Sequence, residues 1–231
     1  MGIKRYKADA DNTIVNAYQS NLSTRGTGSN SGQSDIMEVF SIYGRQTPSS
    51  SAASASQELS RILVKFPISD ISSDRSAGTL PASGSVSFYL RLHASKSSKT
   101  VPKDYKLVVQ AVSQSWEEGD GLDLENYKDL TKDGVGSNWM NASGSSSAGI
   151  GTWTTVGGDY HESPTYVQHL SGGLGDLEVD ISGLVESWIS GTKGNYGVGV
   201  RLSSSYEAYF SSSDGSNSGS VLNNPSGSKK S

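Results

Sequence analysis

The chain has no cysteine and only three histidines, His93, His161 and His169, in 231 residues. The first absence excludes disulfides, thiolate-bound zinc, iron–sulfur clusters and thiol nucleophiles. The second leaves little material for a histidine metal centre or a catalytic triad. No apolar run approaches the roughly 20 residues of a membrane-crossing helix. Lys4 and Arg5 have no apolar stretch behind them, so neither a membrane partner nor a signal peptide is expected. Charge is sparse: 19 Lys+Arg stand against 23 Asp+Glu, a net −4. Such a balance lacks the basic footprint of a nucleic-acid binder.

What the chain has instead is serine and glycine, 46 and 27 of them, about a third of all positions. A core must therefore come from short, sharply patterned stretches. Period-two alternation supplies them. Val86, Phe88, Leu90 and Leu92 share one face of Ser85–His93. Ile62, Val64, Phe66 and Ile68 share a face of Arg61–Ile68. Tyr196, Val198, Val200 and Leu202 oppose Gly197, Gly199 and Arg201, and Leu177, Val179 and Ile181 alternate with Glu178 and Asp180. Weaker strand patterns run over Thr13–Tyr18, Ile36–Tyr43, Leu107–Trp116, Tyr166–Leu170 and Glu207–Phe210. About nine one-sided strands predict an all-β fold, an antiparallel jelly-roll β-sandwich with one face of each sheet in the core and one in water.

One segment departs from this rhythm. Leu184, Val185, Trp188 and Ile189 fall at helical spacing, with Asp180 or Ser182 to cap the start and Gly191 to end it. The pattern predicts one short helix plugging the core with Trp188. Residues 1–210 are expected to form the sandwich, with long Ser/Gly loops at 21–34 and 44–60, and 211–231 a low-complexity tail. Ser143–Gly149 reads as a further linker. Tracts of this kind bury too little to offset their ordering entropy, so they are expected to order only against a neighbour.

The middle of the chain carries landmarks in a fixed order: Arg61-Ile-Leu-Val-Lys-Phe-Pro-Ile-Ser-Asp-Ile71, Trp116-Glu-Glu-Gly119, Gly136-Ser-Asn-Trp139, Trp153-Thr-Thr-Val-Gly-Gly-Asp159, Asp180-Ile-Ser-Gly-Leu-Val-Glu-Ser-Trp188 and Asn195-Tyr-Gly197. Over roughly residues 10–210 this series resembles the DNRLRE-type β-sandwich domain, which is similar to jelly-roll carbohydrate-binding modules, an alginate-binding kind among them. The whole chain, opening on Met1-Gly-Ile-Lys-Arg-Tyr-Lys-Ala-Asp-Ala10, also resembles virion structural proteins of tailed bacteriophages of marine and cyanobacterial hosts. The family's closing strand is matched only loosely by Glu207-Ala-Tyr-Phe-Ser-Ser212, and its last motif is missing. Two explanations stand: the chain continues past Ser231, or a neighbour supplies the closing strand.

Chemistry-bearing groups are few. Glu117–Asp133 holds seven acidic residues against Lys128 and Lys132, nearly all of the chain's net acidity. Hard cations take several oxygens on flexible loops, which makes Asp120, Asp123 and Glu125 the candidates for a calcium loop. The spacing is not that of an EF-hand, and a solvated acidic loop explains the same residues; otherwise no cofactor is expected. His161 and His169 could converge on a metal only if the strand between them folded back. No Gly-x-Ser-x-Gly elbow is present, and sequence places no carboxylate pair across a sugar cleft. The four tryptophans, Trp116, Trp139, Trp153 and Trp188, coincide with the resemblance landmarks, which favours packing. Trp139 and Trp153 border Gly/Ser loops and are the candidates for glycan stacking.

The resulting expectation is a non-catalytic structural component of a bacteriophage virion (decoration, neck, tail or fibre). It would be made in the host cytoplasm and contact other virion subunits, copies of itself included, through its loops. The alternative is a carbohydrate-binding module adhering to cell-surface glycans. A carbohydrate-active enzyme is not expected.

Overall fold

The computed structural model describes residues 2–16, 28–46, 54–95, 104–122, 136–145, 149–207, 209–211, 217–218 and 227–229. In chain order come strands β1 (Ala10–Val15), β2 (Ser41–Gln46) and β3 (Ser54–Lys65), helix α1 (Ile68–Ser76), and strands β4 (Tyr89–Leu92), β5 (Tyr105–Val112), β6 (Asn141–Ser145), β7 (Gly149–Thr152), β8 (Tyr160–Leu170) and β9 (Leu177–Asp180). Helix α2 (Ser182–Ile189), strand β10 (Val198–Leu202), helix α3 (Ser204–Glu207) and three short strands, β11 (Tyr209–Ser211), β12 (Asn217–Ser218) and β13 (Gly227–Lys229), follow.

Six strands form one antiparallel sheet, in the order β1-β3-β10-β5-β8 with β2 also on β3. Its centre is a ladder of matched stripes. Ile62 lies opposite Val200, and Val200 opposite Val109; Val64 lies opposite Val198, and Val198 opposite Ala111. All six are buried. They pack against Leu90 of β4, Leu177 of β9 and the apolar side of α2, where Leu184, Val185 and Trp188 sit as the helical spacing predicts. β4 and β9 pair with each other and form the strand part of this covering layer. The all-β, antiparallel expectation holds. A jelly roll divides eight strands between two sheets; among the described residues the second layer is the β4–β9 pair.

The expectation that each strand shows one face to water fails at the centre of the sheet. Leu63, on the opposite side from Ile62 and Val64, is fully buried, and β10 is buried along most of its length. A second core lies there: Ile14, Leu63, Val112, Trp116, Trp139, Ala142 and Trp153. The glycines that looked like a polar outer face make room for it. A Cβ at Gly199 would stand 2.1 Å from a ring carbon of Tyr160, so the tyrosine lies directly on the backbone of β10.

The helix count also differs. The Arg61–Ile68 stripe stops at Lys65, because Pro67 cannot donate to a ladder and its ring suits a helix start. From Ile68 the chain turns into α1, whose polar sequence buries only Ile71 and gives no amphipathic signal. Arg75 of α1 grips Glu186 of α2 with both guanidinium ends, at 2.5 and 2.7 Å, and lies over the Phe88 ring. At the start of α2, the Asp180 carboxylate accepts the Ser182 N–H, while the Ser182 hydroxyl accepts the Phe88 N–H. Gly191 ends the turn at φ +73°.

The described parts of three expected linkers belong to the fold of the chain itself. Residues 54–59 of the 44–60 loop belong to β3 and pair with β2. Residues 28–34 of the 21–34 loop pack inward, with Ser29, Asn30 and Ser31 all buried. Ser143 and its neighbours form the β6–β7 hairpin.

Candidate functional site

The second face of the sheet carries an open groove of about 650 Å³. Period-two alternation places Arg61 on β3, Gln110 on β5 and Arg201 on β10 along that face, and β8 adds Tyr160 and Glu162. The loops after β5 and β7 close the sides with Ser113, Gln114, Thr154, Thr155 and Asp159.

Most of these groups are held firmly. Arg61 forms a two-pronged ion pair with Glu207 of α3, at 3.0 and 2.9 Å, and donates to the Gly157 carbonyl at 2.8 Å. Its guanidinium also stacks on the Trp139 ring, 5.1 Å from the centroid. Burial disfavours the Arg61 charge, but the Glu207 carboxylate more than compensates, so its pKa lies above the usual arginine value. Burial pushes the Tyr160 phenol up, and its hydroxyl donates to the Gly157 carbonyl. Asp159 uses both oxygens as a clamp on the Thr154 and Thr155 N–H groups. Arg201 donates to the Gln110 side-chain carbonyl, and Gln110 donates in turn to the His161 carbonyl and the Thr165 hydroxyl.

Trp139 and Trp153, the expected stacking residues, lie beneath this groove and do not line it. They are 6% and 4% exposed. Trp153 donates its indole N–H to the Asn138 carbonyl, and Arg61 covers Trp139. A sugar platform needs an open ring face, and neither ring offers one. Both belong to the second core.

Of the expected calcium ligands, Asp120 stands exposed after Gly119, while Asp123 and Glu125 lie outside the described residues. Among the described residues no three histidine or acidic side chains converge as a metal site. His161 and His169 sit eight residues apart on β8, roughly 25 Å at ordinary strand rise. His169 pairs with Asp104 and does not approach His161.

The acidic segment begins with a structural task that sequence did not reveal. Glu118 accepts the Asp11 N–H, and Glu117 accepts the Gly144 N–H. The segment that follows, residues 118–121, is pinned by Asn30, whose amide donates to the Glu118 and Ser137 carbonyls, both at 2.7 Å. The Asn30 oxygen accepts from Gly32 and Gly121. Asn12 repeats the device, donating to Ser137 and accepting from Ser31. Gly119 and Gly136 sit so close to Asn30 that a Cβ on either would come within 2.6 Å of its side chain. In a Ser/Gly tract, the asparagine was the available signal, since its amide can tie several backbone groups at once.

No protein-family model, curated protein or solved structure matches this chain.

Proposed function

We propose that the chain is a non-catalytic structural subunit of a bacteriophage particle, a stiff β-scaffold that contacts neighbouring subunits or further copies of itself. The observation that carries this reading is the β2–β3 ribbon. Residues 60–65 of β3 pair with β1, and 62–64 with β10, while Leu59 exchanges hydrogen bonds with Asn16; among the described residues, 54–58 have only β2 beside them in the sheet. Two-stranded ribbons are marginal alone in water, and the sequence of this one is mostly small and polar, Ser-Ile-Tyr-Gly-Arg-Gln against Ser-Ala-Ser-Gln-Glu before Leu59, which packs on the second core. A neighbouring surface could pair with or pack on this ribbon, and repetition over many copies would make weak contacts add up. The sequence resemblance points the same way. Since the chain has no cysteine, a single Ser56→Cys variant carrying a photo-crosslinker reports on the ribbon alone. Coupling to another subunit in the particle is expected; intramolecular products only would count against the reading.

A second reading, adhesion to glycans, is favoured by the polar groove on the second face. It is compatible with the first, because a surface subunit can also hold a sugar. A glycan array read with the intact chain tests it, and silence across neutral and anionic glycans would remove it.

A further inference from the structure

The glycan reading can be sharpened by asking which groups of the groove remain available to a ligand. Arg61 is not among them, being tied to Glu207, Gly157 and Trp139. Asp159 is not either, since both oxygens hold backbone N–H groups. Among the described residues, the Glu162 carboxylate has no hydrogen bond or ion pair, and the Ser113, Thr154 and Thr155 hydroxyls have no partner. Gln114 donates to the Thr152 carbonyl and keeps its own carbonyl oxygen free. Among the described residues Arg201 has no carboxylate partner; it donates to Gln110 at 2.9 Å and weakly to its neighbour's carbonyl at 3.4 Å, leaving further N–H groups.

This set mixes strong donors with strong acceptors. The lining carries two cations, Arg61 and Arg201, and two anions, Asp159 and Glu162, with Glu207 directly behind Arg61. Local charge is therefore slightly negative, as is the chain as a whole at −4. A polyanion would meet no surplus of positive charge, and Glu162 would repel it. A sugar hydroxyl both donates and accepts, and a pair of adjacent hydroxyls can take an arginine N–H with one oxygen and give a proton to a carboxylate with the other. With no open aromatic face, contact would rest on these hydrogen bonds.

We infer that the groove is a binding site for neutral, polyhydroxylated glycans, with Arg201 as principal donor and Glu162 as principal acceptor, and that it discriminates against uronate and sulfated chains. The inference rests on the glycan reading above. The test is titration of the intact chain with neutral gluco-, manno- and galacto-hexasaccharides beside a hexauronate and a sulfated hexasaccharide, followed by calorimetry and by amide shifts in ¹⁵N spectra. A neutral hexasaccharide is expected to shift residues at 110–114, 154–162 and 201. Arg201→Ala and Glu162→Gln are each expected to weaken it about tenfold; Glu162 is exposed, so its variant keeps the fold. Tighter binding of the hexauronate at the same residues would overturn the neutral preference and leave the glycan reading standing. Neutral binding that both variants leave unchanged would overturn the site. No shift with any oligosaccharide would remove both inference and reading.

Discussion

On one face of the six-stranded sheet, valines and isoleucines meet Leu90, Leu177 and Leu184, and the one tryptophan there, Trp188, has a buried indole N–H with no partner among the described residues. On the other face, Leu63 and Ile14 share their space with three tryptophans, of which Trp116 and Trp153 donate to the Tyr196 and Asn138 carbonyls at 2.7 and 2.8 Å. Beside them the Asn12 and Asn30 amides tie four chain segments. The first face is held by volume and apolar area. The second is held by directional bonds that must all be made at once. The difference shows why one side can serve as a foundation while the other presents a shaped polar surface.

Substitutions that alter volume or chemistry separately should split the two faces. Leu184→Ala, at a fully buried site, should lower unfolding free energy in urea by about 4 kcal/mol, and Leu184→Met by under about 1.5 kcal/mol. Asn30→Ala should cost about 3 kcal/mol, because the Glu118 carbonyl and the Gly32 and Gly121 N–H groups lose their Asn30 partner and the Ser137 carbonyl keeps only Asn12. Here shape gives no relief: Asn30→Asp should be as harmful, since it sets a carboxylate against the Glu118 and Ser137 carbonyls. An Asn30→Asp variant as stable as the parent would erase the contrast.

The tryptophans sharpen the same comparison at smaller scale. Trp153→Phe leaves the Asn138 carbonyl without its donor and should cost about 1–2 kcal/mol beyond the volume change. Trp188→Phe removes a group that is already unpaired and should cost less. Matched thermal melts of the two variants decide it.

The smallest effect concerns the helices on the apolar face. Hydrogen bonding from Arg75 holds the Glu186 carboxyl below the ordinary glutamate range. A depressed folded-state pKa adds stability above the unfolded value of about 4.3 and loses it as pH falls through the folded one. Stability should therefore decline below about pH 4.3 more steeply in the parent chain than in Glu186→Gln. Identical acid limbs would remove the Arg75–Glu186 contribution.

Much of the apolar face was legible in the sequence, because period-two stripes at Ile62–Val64 and Val198–Val200 and the helical spacing of Leu184, Val185 and Trp188 each report burial directly, while the strand carrying Val109 and Ala111 showed only a weaker pattern. The second face was hidden for two physical reasons. Its space is made by glycine, and Gly199 looks like an exposed gap until Tyr160 is placed on it. Its bonds are long-range: Asn30 meets Ser137 across 107 positions, a distance over which no local pattern carries information. Helix α1 escaped because Ile68-Ser-Asp-Ile-Ser-Ser-Asp-Arg-Ser76 shows no apolar stripe; only Pro67 marked the change.

The central claim is that a stiff scaffold offers its β2–β3 ribbon to a neighbour. Amide exchange of residues 41–46 and 54–58, followed in the isolated chain and in the assembled particle, tests it most directly. The account predicts that these amides exchange far faster than those of β5 and β10 in isolation and slow by about a hundredfold on assembly. Equal rates in the two states would contradict it.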